Sequence, residues 1–86
     1  MEKYSLLIVP SAVRELEAVP RRADRRRVVA RIQALAADPR PAGCQKLTGK
    51  DGSRVRQGAI RVVYQVDDRS RTITVIKIGH RREVYR

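Results

Sequence analysis

One histidine, one cysteine and scattered carboxylates leave the chain little equipment for metal or nucleophilic chemistry, so its reactive potential lies in its cations. Lys and Arg number 20 against 9 Asp and Glu, a formal charge of +11, and most of the cations are arginine. A guanidinium stays protonated at any working pH and presents a planar fork of donors, which matches the two oxygens of a phosphate or carboxylate. Arg54, Arg56, Arg61 and Lys77 sit in segments that alternate apolar and polar residues, so their spacing can bring them to one face of a sheet. His80 is the one side chain whose type ordinarily changes protonation near neutral pH, which makes it the candidate for proton transfer. Cys44, flanked by Gly43 and Gln45 with no base nearby in sequence, is not expected to be chemical. The residue types predict neither a metal nor a cofactor.

The elements that must position these residues follow from periodicity. Lys3 to Val9 is a short β-rich run stopped by Pro10, and Ser11 is the expected N-cap of a first helix with Ala12, Leu16 and Val19 on one face. Pro20 breaks it. A second helix begins near Arg22 or Ala23 and runs to Ala37, with Val28, Ile32 and Leu35 as its inner stripe, and Asp38-Pro39-Arg40-Pro41 ends it. The pattern then changes to period two, which predicts strands near 53–57, 60–67 and 71–79 in an antiparallel meander. The order β-α-α-β-β-β gives an α+β fold, a helical hairpin packed on one face of a small, mainly antiparallel sheet, in one domain over residues 1–86.

Register can be read from the turns. Gly58-Ala59 suits a two-residue hairpin with glycine first, pairing Gln57 with Ile60, Arg56 with Arg61 and Val55 with Val62. For the next hairpin a three-residue loop, Asp68-Arg69-Ser70, sets Ile60 against Ile78, Val62 against Ile76 and Lys77 against Arg61. A four-residue loop would move Lys77 among the core residues, because a slip of one turns every side chain over. The expected outcome is one face carrying Arg54, Arg56, Arg61 and Lys77 with no acid between them, and Val63, Ile73 and Val75 as an apolar strip beside them. Exposed strands often carry Lys or Arg merely to block edge pairing, but that predicts scattered charges on edges rather than four converging on a central strand. Arg21, Arg22, Arg25, Arg26 and Arg27 form a second cluster on the helices.

The charge excess points to a polyanionic partner, nucleic acid or an acidic protein. The apolar content, 42%, is enough for a single thin core. A lone cysteine fits a reducing cytoplasm, and neither a membrane span nor a signal peptide is expected.

The run Arg54-Val-Arg-Gln-Gly-Ala-Ile-Arg-Val-Val-Tyr-Gln-Val66, the run Ile78-Gly-His-Arg-Arg-Glu-Val-Tyr85, and the segments Asp38-Pro-Arg-Pro41 and Lys46-Leu-Thr-Gly49 resemble the RelE branch of the RelE/ParE toxin superfamily. The resemblance covers nearly the whole chain. It implies a type II toxin that cleaves mRNA in the ribosomal A site without a metal and is silenced by an antitoxin, here expected to be acidic. It further implies that Arg61 steadies the scissile phosphate, that Arg81 serves the leaving group and that Tyr85 stacks on or orients the substrate. Arg54 and Arg56 fall where well-studied members carry lysines. Lys46, Lys77 and Arg82 are expected to contact substrate, and Val63, Ile73 and Val75 to receive the antitoxin. The alternative in the same superfamily is a ParE-type toxin, which inhibits DNA gyrase by binding. A further alternative, an inactive RNA-binding module, is disfavoured by the presence of only 3 aromatic residues, too few for several stacking platforms.

Overall fold

Residues 3–47 and 52–80 are described by the computed structural model. Their elements run β1 (Ser5–Ile8), α1 (Pro10–Glu17), α2 (Arg22–Leu35), β2 (Gln45–Lys46), β3 (Ser53–Gln57), β4 (Ile60–Asp67) and β5 (Thr72–His80). The strands form one sheet in the order β1-β5-β4-β3-β2. β1 runs parallel to β5, and every other pair is antiparallel. The predicted α+β architecture is therefore present, with one added strand, the short β2, which extends the sheet at one edge. The expected first strand, β1, closes the other edge beside the last strand.

Val9 serves two elements. Its N–H donates to the Val75 carbonyl at 3.1 Å as the last rung between β1 and β5, and its carbonyl accepts from Val13 in the first turn of α1. Pro10 occupies the first helical turn, where a missing N–H costs nothing. The proline thus opens the helix, and Ser11 lies inside it rather than capping it. In α2 the stripe Val28, Ile32 and Leu35 is buried as the spacing requires.

The first hairpin has the predicted register: Gln57 faces Ile60, Arg56 faces Arg61 and Val55 faces Val62. Gly58 opens its turn at φ 62°, the left-handed region that glycine enters without steric cost.

The second hairpin differs from expectation. Its loop holds four residues, Asp68 to Arg71, so that Asp67 faces Thr72. The Asp67 carboxylate accepts from the Arg69 and Ser70 amides at 3.0 and 3.2 Å, and Arg71 closes the loop at φ 53°. A four-residue loop alone would bury Lys77. That outcome is avoided by a bulge: Tyr64 faces Val75, but Val63 faces Lys77, leaving Ile76 as the extra residue. The inserted residue reverses the inside–outside parity along β5. Ile73 and Val75 consequently face the helices with exposures of 0%, while Lys77 and Gly79 fall on the side of Arg61.

The core consists of Ala12, Val19, Val28, Ile32 and Leu35 from the helical half packed on Val55, Ile60, Val62, Tyr64, Ile73, Val75 and Ile78 from the sheet. Within it, the Tyr64 hydroxyl donates to the Pro39 carbonyl at 2.7 Å and lies 3.1 Å from the Cys44 sulfur. Burial, followed by the contact with Cys44, raises this phenol above the ordinary tyrosine range. Outside the core, Asp68 receives a two-pronged contact from Arg40 and a hydrogen bond from the Tyr4 hydroxyl, which ties the β4–β5 loop to β1 and to the segment after α2.

Candidate functional site

Arg61 lies on β4, the central strand, and is the charged side chain buried among the described residues, with 4% of its surface exposed. Arg56 stands directly opposite it on β3, and Arg54 is its diagonal neighbour on the same face. Like charges in these relations oppose sheet pairing, and burying a guanidinium adds a desolvation cost. The turn at Gly58-Ala59 and the apolar register of Val55 with Val62 hold the two strands in place against that repulsion. An anion laid on this face would relieve it.

The third strand contributes differently from expectation. Gly79, with no side chain, faces Arg61, and Lys77 faces Val63, which makes Lys77 a diagonal neighbour of Arg61. An acid also reaches this face. Glu15 of α1 places Oε2 3.6 Å from the Lys77 ammonium, and its Oε1 accepts from the Ile78 amide at 3.0 Å. At the other end of the face, Arg54 donates to the Gln45 side-chain oxygen, its cross-strand neighbour on β2. Arg54, Arg56, Arg61 and Lys77 are therefore brought to one side of three strands.

Other expected members are not gathered there. His80 faces Ile60, a core residue, so the register puts it on the helix side of the sheet and not on the side of Arg61. Lys46 is in register with Ser53, whereas Gln45 is the residue beside Arg54. Lys46 lines a separate groove of about 740 Å³, whose walls also carry Arg40, Asp67, Asp68 and Arg69. The apolar strip is absent from the arginine face: Ile73 and Val75 are core residues, and only Val63 of the three remains on that side, 6% exposed. Arg81, Arg82 and Tyr85 lie outside the described residues.

Glu15 and Gln45 escaped the sequence reading. Glu15 is separated from Ile78 by 63 positions, and in its own helix it is one more polar residue on the outer face. No local pattern distinguishes it. Among the described residues no group of three or more His, Cys, Asp and Glu could hold a metal, and no helix is long and apolar enough to cross a membrane.

On the helical side, a groove of about 630 Å³ runs between α1 and α2. Leu16, Val29 and Ala30 supply apolar surface there, and Arg22, Arg25 and Arg26 supply charge. Arg25 is fixed by donating to the Val19 and Pro20 carbonyls at the break between the helices.

A family model described as the ParE toxin of the type II toxin–antitoxin system, parDE, matches residues 6–85. No curated protein sequence matches the chain. Among solved structures, the RelBE2 toxin–antitoxin complex from Mycobacterium tuberculosis is similar, at 25% identity and a TM-score of 0.80, covering 94% of each chain. The archaeal RelE–RelB complex from Pyrococcus horikoshii matches at 28% identity and 0.78, over 92% of this chain and 96% of that one. The isolated RelE toxin from E. coli also matches at 28% and 0.78, over 95% and 90%.

Proposed function

The chain belongs to the ParE toxin family of type II toxin–antitoxin systems, within the RelE/ParE superfamily, and from that premise we propose that it is a metal-independent endoribonuclease acting on mRNA at the ribosome. The observation that carries this reading is the buried Arg61 on the central strand, with Arg56 opposite and Arg54 diagonal on a face that suits a phosphodiester. RNA supplies its own nucleophile. When a 2′-hydroxyl loses its proton to solvent water and attacks the adjacent phosphorus, the phosphate gains negative charge. The P–O5′ bond then breaks to leave a 2′,3′-cyclic phosphate, and the 5′-oxygen leaves with a proton. Arg61 meets that charge with a two-pronged contact, and Arg54 and Arg56 hold the flanking phosphates. The low-dielectric setting of a buried guanidinium strengthens its contact with the developing charge. Arg81 and Tyr85 keep the leaving-group and stacking roles that the family resemblance implies. His80 is left out of this scheme in view of its register opposite the core residue Ile60.

The partner is an acidic antitoxin. RelB antitoxins accompany several of the similar toxins in their solved complexes. With Ile73 and Val75 in the core, the groove between the helices is the better seat for an acidic, amphipathic segment: aliphatic anchors meet Leu16 and Val29, and carboxylates meet Arg22 and Arg26. Val29→Asp should then abolish co-purification with the antitoxin and leave the fold intact. Retained binding would move the antitoxin elsewhere.

The match to the ParE model favours a second reading, inhibition of DNA gyrase by binding. The deciding experiment incubates the purified chain with mRNA, with and without translating ribosomes, and in parallel with gyrase and relaxed plasmid. Cleavage with intact supercoiling supports the nuclease. Intact RNA with lost supercoiling overturns it in favour of the gyrase inhibitor.

A further inference from the structure

Beyond the cations themselves, we infer that Glu15 is a positioning residue of the nucleolytic site, holding the Lys77 ammonium beside Arg61. The inference rests on the nuclease reading. Its starting point is the edge of β5. β1 pairs with β5 only from Thr72 to Val75, and the last rung beyond it is Val9 to the Val75 carbonyl. Past that point β5 continues to His80, and among the described residues no strand lies on its outer side. The Ile78 amide points outward there, away from β4, and would be left without a strand acceptor.

Glu15 answers that need with one oxygen and leaves the other for Lys77. Oε1 accepts from the Ile78 amide at 3.0 Å, and Oε2 lies 3.6 Å from the Lys77 ammonium. One carboxylate therefore ties the end of β5 to α1 and holds a flexible cation relative to that same backbone. The Lys77 and Glu15 side chains are 43% and 33% exposed, and an ion pair so open to water adds little to folding stability. Its consequence is geometric. A lysine on a four-carbon stem loses much rotamer freedom when held, and that entropy is then not lost again when a phosphate arrives. Lys77 registers against Val63, one pleat from the Gly79 that faces Arg61, so β5 places no side chain of its own directly opposite Arg61. The bulge at Ile76 is what turns Lys77 to this side, so the strand irregularity and the helix carboxylate act on the same residue.

The test separates position from charge. Glu15→Gln keeps an oxygen acceptor for the Ile78 amide and removes the ionic hold on Lys77. It also removes a negative charge, so affinity for RNA should stay level or rise. The expected result is a kcat about tenfold lower with KM unchanged or reduced and Tm within about 3 °C of wild type. A purely structural Glu15 would move Tm and leave this kcat-against-KM split absent. Lys77→Met removes the same ion pair from the strand side without touching the Ile78 acceptor, and it should lose a similar factor. The double variant should fall no further than the worse single one, since both remove one linked function. Unchanged kcat in Glu15→Gln, or losses that multiply in the double variant, would overturn the role of Glu15 while leaving the nuclease standing. Intact RNA with the wild-type chain would instead bring down the nuclease reading, and the positioning role with it.

Discussion

Arg61 combines properties that seldom meet in one residue. It is charged, central in the sheet and 4% exposed, and it faces another arginine across the strand pair. A lysine would keep the charge but lose the fork that spans two phosphate oxygens. Arg61→Lys is therefore expected to lower cleavage by ~10- to 100-fold while Tm moves only a few degrees, measured by single-turnover cleavage and thermal melting. Full activity would take Arg61 out of the site. Tyr64 is a residue of the opposite kind, with an internal role. Tyr64→Phe leaves the Pro39 carbonyl without its donor and should cost about 1–2 kcal/mol. Because the folded state raises this phenol, its contribution is complete below the ordinary tyrosine range near pH ~10 and is lost as pH climbs toward the higher folded value. Melting profiles taken upward from pH ~9 should fall more steeply for wild type than for Tyr64→Phe.

At the scale of elements, the bulge in β5 decides which residues build the core and which build the site. On the near side of Ile76, odd-numbered Ile73 and Val75 point to the helices. Beyond it, even-numbered Ile78 does so. Ile73→Ala should consequently behave as a core truncation, costing ~2–5 kcal/mol and lowering Tm by roughly 10 °C or more. A variant with unchanged stability and weakened antitoxin binding would restore Ile73 to the surface. The same bulge turns Lys77 toward Arg61, and α1 reaches over the uncovered edge of β5 to meet it through Glu15. The elements around the arginines thus balance the repulsion of like charges with the apolar core behind them, to which Val55, Val62, Ile78, Ile32 and Leu35 all belong.

For the molecule as a whole, the charge is divided between two faces. The sheet face bears Arg54, Arg56 and Arg61, while the helical groove bears Arg22, Arg25 and Arg26. At +11 the chain favours anionic partners, and on the proposed reading salt is expected to weaken the association with RNA and with an acidic antitoxin alike. Substitution on one face should leave the other partner's salt dependence alone. Arg56→Ala is expected to reduce the slope of log K against log salt for RNA by about one and leave the slope for the antitoxin unchanged. A change in both slopes would mean that the two partners share the sheet face.

Most of the architecture was written locally. Alternation over 53–57, 60–67 and 71–79, the helical stripes, and the turn at Gly58-Ala59 depend on neighbours in sequence, so the meander, the helix pair and the pairing of Arg56 with Arg61 could all be read from the chain. The extent of β2, the seat of Lys46 and the Glu15–Lys77–Ile78 contact could not, because each joins residues whose relation exists only after the sheet has closed against the helices. The second hairpin shows the boundary most clearly. Parity along a strand is legible only if the strand is regular, and a single unpaired residue reverses it. Ile73, Val75 and Ile78 can all enter the core only with Ile76 set aside, a solution favoured by burial under the helices and not by any local preference.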